Sequence, residues 1–66
     1  MKNALRLARA QNNMTQQELA DKIGVSRQTI NSIETGRYVP STVLALKLDK
    51  MLSSQVEALF QIEESD

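Results

Sequence analysis

The 66-residue chain has no cysteine and no histidine, one proline and two glycines. Without cysteine there is no disulfide scaffold, no thiolate nucleophile and no zinc finger. Without histidine there is no His-based triad, imidazole general base or imidazole metal ligand. One Tyr and one Phe make the aromatic content 3%. That argues against base-stacking platforms of the single-strand or RNA-recognition type, which need several aromatics. No apolar run approaches the roughly 20 residues of a membrane span. Lys2, Arg6 and Arg9 interrupt the first ten positions. No secretory signal peptide is therefore read there, and the expected compartment is the cytoplasm.

What remains suffices for one small domain. Apolar residues make up 41% of the chain, enough for a core. A chain of this size buries only about 60% of its unfolded surface, so dimerisation would add useful apolar burial. The net charge of zero hides an asymmetry. Residues 1–50 carry all eight basic side chains against four acids, a net +4. Residues 51–66 carry Glu57, Glu63, Glu64 and Asp66 and no base, a net −4. A basic body with an acidic tail suits a polyanionic partner on one face.

Strand signals are nearly absent, and punctuation divides the chain into five short helices. The first spans about Asn3 to Gln11, with Leu5, Ala8 and Leu7 as its apolar side. The second opens on a capping box, Thr15-Gln16-Gln17-Glu18, and closes on Gly24. Ser26 caps the third, Arg27 to about Thr35, whose Ile30 and Ile33 point away from Gln28, Asn31, Ser32 and Thr35. Gly36 ends it. Ser41 caps the fourth, about Thr42 to Leu52, with Leu44, Ala45, Leu48 and Leu52 inward. A fifth is expected over Val56 to Phe60. The domain is expected over 1–60, with an acidic tail at 61–66.

Two helices joined by a tight glycine turn make a helix-turn-helix, here about 16–35. Ala20 is small where the two helices approach, Gly24 makes the turn, and Ile30 plugs the core. This stretch resembles the Cro/C1-type repressors of phage and the wider XRE family of regulators. The resemblance is carried by Met14-Thr15-Gln16-Gln17-Glu18-Leu19-Ala20, by Gly24-Val25-Ser26-Arg27-Gln28-Thr29-Ile30, by Ile33-Glu34, and by Gly36-Arg37-Tyr38 with Pro40-Ser41. It extends through Leu59-Phe60 and looks most like the short stand-alone branch. It implies an all-α, compact five-helix bundle of the lambda-repressor-like DNA-binding fold, with short terminal strands at Met1–Asn3 and Phe60–Ile62 near a dimer seam.

The resemblance also implies roles. The third helix is expected in the major groove, with Arg27, Gln28, Ser32 and Thr29 at the bases. Arg suits guanine O6 and N7, and Gln suits adenine N6 and N7. Gln16, Gln17, Ser26, Asn31, Thr35, Arg37 and Tyr38 are expected at phosphates. Of these, Ser26 is first a cap, and Gln16 and Gln17 are also ordinary solvated helix residues. Thr29 lies between the core and DNA faces. Lys22, Lys47 and Lys50 read as solvation rather than DNA contacts. Arg9 and Glu34 fill the positions of an architectural ion pair.

On the fourth helix Val43 and Leu46 point away from the core residues. They define, with Val56, Leu59, Phe60 and Ile62, an expected dimer interface. Ser53 and Gln55 depart from the family pattern and leave the dimer details open. The expected function is a double-stranded-DNA-binding transcriptional regulator, a homodimeric repressor on a palindromic operator. It is expected to have no enzymatic activity, no metal and no cofactor, and to be nucleoid-associated when DNA-bound. The rival is an antitoxin or another protein-interaction module, with an unknown protein partner.

Overall fold

A computed structural model describes residues 2–52 and 59–63. Four helices make up the body: α1 (Leu5–Gln11), α2 (Gln16–Ile23), α3 (Arg27–Glu34) and α4 (Thr42–Met51). Two short strands, β1 (Lys2–Asn3) and β2 (Phe60–Gln61), pair antiparallel with Asn3 opposite Phe60.

The starts of α2, α3 and α4 and the ends of α2 and α3 have local causes. Thr15 and Glu18 form a reciprocal capping box: the Thr15 hydroxyl accepts from the Glu18 N–H, and the Glu18 carboxylate accepts from the Thr15 N–H, both at 3.0 Å. Ser26 caps α3 through the Thr29 N–H, and Ser41 caps α4 through the Leu44 N–H. At Gly24 the backbone turns left-handed, with φ of 82°. Nothing lies within 4 Å of the place a Cβ would occupy there, so conformation rather than space calls for glycine. Past α3, the Gly36 N–H donates to Ile33 and the Arg37 N–H to Ser32. This pair of bonds is a Schellman closure, and it folds Arg37 and Tyr38 back beside α3.

The core draws on all four helices and on Leu59-Phe60. Leu5, Leu19, Ile30, Ile33 and Leu48 are fully buried, with Ala8, Ala20, Ala45, Leu52, Leu59 and Phe60 around them. Ala20 lets α2 and α3 approach, and Ile30 and Ile33 fill the space they enclose.

Several expectations are corrected. The count of five helices is not supported: four are described, and most of the expected fifth, with Val56, lies outside the described residues. Phe60 belongs to β2, in line with the expected terminal strand at Phe60–Ile62 and not with the expected helix end. The first helix begins at Leu5, because Asn3 is in β1. There the Asn3 side chain accepts from the Leu5 N–H and donates to the Ile33 carbonyl, at 3.2 and 2.8 Å. Leu7 is exposed rather than inward, since one turn of α1 buries only Leu5 and Ala8.

Candidate nucleic-acid interface

The outward side of α3 carries Arg27, Gln28, Asn31 and Thr35 as exposed residues, with Thr29 and Ser32 half-buried beside them. Its buried side is Ile30 and Ile33. The face is thus made of amides, hydroxyls and one guanidinium. Such groups form directional hydrogen bonds, and they impose little charge of their own on a partner.

Glu34 is the one acid of α3, and it is turned inward. Its side chain is 0% exposed, against 16% for Arg9 and 69% for Arg6. The Arg9 guanidinium holds it in a fork, Nε to Oε2 at 2.7 Å and Nη2 to Oε1 at 3.4 Å. The Gln16 amide donates to Oε1 at 3.0 Å, and Arg6 adds a longer contact of 3.5 Å. Burial by itself would raise the Glu34 carboxyl. The hydrogen bonds from Arg9 and Gln16, the Arg9 charge and the Arg6 contact outweigh it and hold the group below its ordinary value. Glu34 is therefore ionised and neutralised at neutral pH. Arg9 also donates to the Met14 carbonyl at 2.7 Å, so one side chain ties α1, the loop before α2 and the end of α3.

Gln16 joins the start of α2 to α3. Its amide nitrogen donates to Asn31 Oδ1 at 3.2 Å as well as to Glu34. Both amide hydrogens are thereby engaged. A phosphate at this position would meet the helix N-terminal backbone, or would displace Asn31. This bridge was not legible in the sequence, because partners 15 and 18 residues apart share no periodic signal.

The other expected contact residues are placed as follows. Gln17 donates to Asp21 one turn along α2, at 2.8 Å. The Ser26 hydroxyl bonds both the Thr29 N–H and the Thr29 hydroxyl. The Thr35 hydroxyl donates back to the Asn31 carbonyl at 2.9 Å, which leaves its oxygen to accept only. Arg37 is exposed, as is Tyr38. Tyr38 closes one side of a concavity of about 350 Å³ lined by Ser26, Gln28, Thr29 and Ser32. A single recess thus joins three of the expected base-contacting residues to two expected at phosphates.

The expected dimer residues divide. Val43 and Leu46 are 63% and 53% exposed, and Ile62 is 85% exposed. Leu59 and Phe60 are buried within the chain's own core. The β1–β2 pairing and the bond from the Ala4 N–H to the Leu59 carbonyl draw them inward, which leaves little of their surface for a dimer partner. Val56 lies outside the described residues. Among the described residues no group of three acids could hold a metal ion, and no helix is long and apolar enough to cross a membrane.

Comparison with known proteins accords with this geometry. The helix-turn-helix family model matches residues 5–59. An uncharacterized HTH-type transcriptional regulator of Methanocaldococcus jannaschii is 48% identical over 66 residues, all of both chains. One from Bacillus subtilis is 44% identical, again over the whole of both. One from Archaeoglobus fulgidus is 41% identical over all of this chain and 94% of its own.

Proposed function

The chain belongs to the helix-turn-helix family of DNA-binding transcriptional regulators, and from that premise we propose that it is a homodimeric repressor reading a palindromic operator through α3. The observation that carries the reading is the outward face of α3. It holds four exposed polar residues while the helix's only acid is buried against Arg9. A helix with that surface fits a major groove about 12 Å wide and meets no repulsion from its own carboxylate.

Arg27 and Gln28, at the start of α3, are the base readers. The Arg27 fork suits guanine and the Gln28 amide suits adenine, each good pair giving about 1–3 kcal/mol of discrimination. Ser32 and Thr29 add contacts one turn on and at the recess wall. Gln16, Gln17, Ser26, Asn31, Thr35, Arg37 and Tyr38 border this face at the flanking phosphates, where Gln16 and Thr35 donate only after releasing their bonds to Asn31. Two copies would place their α3 helices in successive major grooves about 34–36 Å apart. The regulatory act is occupancy in the cytoplasm, on the nucleoid: a bound dimer obstructs polymerase. Affinity falls steeply with salt, because each neutralised phosphate releases counterions.

Selection from a randomised duplex library tests this reading. The expected result is enrichment of a two-fold-symmetric site whose half-sites lie one DNA turn apart. A folded protein that enriches nothing above non-specific binding at low salt would contradict it, and would direct attention to a protein partner instead.

A further inference from the structure

Lys22 and Ile23 end α2, and Lys47, Lys50 and Met51 lie in the second half of α4. These five residues line an open groove of about 480 Å³. Its floor is apolar: Ile23 and Met51 are half-buried and packed on the core. Its rim is three ammonium groups. Among the described residues no acid lines it, and none of its three lysines makes an ion pair with another described residue. Glu18, one turn before Lys22, feels that charge only through space.

The same surface continues over α4. At 100° per residue, Val43 and Leu46 share the outer side of the helix with Lys47 and Lys50. Both apolar side chains are more than half exposed. The result is a cationic and apolar strip running into a cationic and apolar groove. Three like charges around an uncovered apolar floor are unfavourable as they stand. An occupant with an apolar residue followed by carboxylates relieves both conditions.

This chain itself carries that complement. Ile62 is the most exposed large apolar residue among the described ones, and Glu63, Glu64 and Asp66 follow it with no base. Glu63 already has an interaction of its own, so the pairing is assigned to the two acids after it, Glu64 and Asp66. We propose that a second copy of this chain docks on α4, its Ile62 covering the apolar strip and its Glu64 and Asp66 meeting Lys22, Lys47 and Lys50. The proposal rests on the homodimer reading above and says how that dimer is held. In a two-fold pair the contact forms twice, once in each direction. The lysines of α2 and α4 then serve assembly, and the basic residues Arg27 and Arg37 are left for DNA.

The test is a charge exchange read by sedimentation of the DNA-free protein. Lys47→Glu/Lys50→Glu and Glu64→Lys/Asp66→Lys are each expected to weaken dimerisation by roughly tenfold or more, since four charge pairs per dimer become repulsive. An equimolar mixture of the two variants is expected to dimerise again, because each tail then meets a surface of opposite charge. All the substituted groups outside the tail are exposed, and circular dichroism verifies that the fold is retained. Carbodiimide crosslinking of a mixture of isotope-labelled and unlabelled wild type gives a second reading, with Glu64 or Asp66 joined to Lys47 or Lys50 between copies. Variants that dimerise as well as wild type overturn the proposal and leave the homodimer reading standing. Crosslinks confined within one copy overturn it in favour of a tail folded back on its own chain. A monomeric wild type overturns both.

Discussion

The outer faces of α3 and α4 make opposite use of similar scaffolds. Both helices are capped by a serine, Ser26 and Ser41, and both bury their inner residues in the shared core. Outside, α3 shows Arg27, Gln28, Asn31 and Thr35, whereas α4 shows Val43, Leu46, Lys47 and Lys50. Amides and hydroxyls gain by meeting donors and acceptors in fixed positions, such as base edges. Aliphatic side chains beside ammonium groups gain by being covered. In a chain this short the core is common property, and separate tasks fall to separate outward faces. What keeps the α3 face fit for an anionic partner is the inward turn of Glu34.

The largest effect should come from the tie behind the α3 face. Arg9→Ala strands the buried Glu34 carboxylate and frees the Met14 carbonyl, and it should cost about 3–5 kcal/mol. Urea denaturation measures this. A fully folded Arg9→Ala protein of unchanged stability that fails to bind DNA would mean that Arg9 acts at the interface, not in the architecture.

The same network sets a pH dependence. The folded Glu34 carboxyl lies below its ordinary value of 4.5. Its contribution is present above that value and is lost as pH falls through the depressed folded one. Urea midpoints should therefore drop as pH is lowered below about 4.5, and drop less steeply in Glu34→Gln, which has no carboxyl to protonate. Parallel pH profiles for the two proteins would count against the assignment.

A smaller change should come from the cap of α2. Thr15→Ala removes the hydroxyl half of the capping box and should cost about 1 kcal/mol. Thermal melts would register this as a modest fall in Tm. Because Gln16 sits at the first position of that helix, the same variant should loosen the Gln16–Asn31 bridge while leaving α4 and dimerisation unaffected.

The caps explain why much of the fold was legible. Thr15, Ser26, Ser41, Gly24 and Gly36 act on their nearest neighbours, and neighbours are what a sequence displays. The outward polarity of α3 followed from its 3.6-residue period in the same way. The Arg9–Glu34 pair is different: its partners are 25 residues apart, and only family resemblance brought them together. The bridges from Gln16 to Asn31 and Glu34, and from Asn3 to the Ile33 carbonyl, had no such help. They exist because packing α1 and α2 against α3 brings those groups into range. Phe60 carried two readings, the end of a fifth helix and a terminal strand, for a related reason. A run as short as Leu59-Phe60 satisfies helical and strand spacing equally, and the pairing with β1 decides between them.

The central claim is that α3 reads bases, and base specificity at Gln28 tests it most directly. The measurement is a competition binding profile, for wild type and for folded Gln28→Ala, on the selected duplex and on every single-base-pair variant of it. The account predicts that Gln28→Ala loses about 1–3 kcal/mol of discrimination at one base pair in each half-site and keeps its preferences elsewhere. An unchanged profile, or a uniform loss across all sequences, would contradict it and assign Gln28 to the phosphate backbone or to no contact at all.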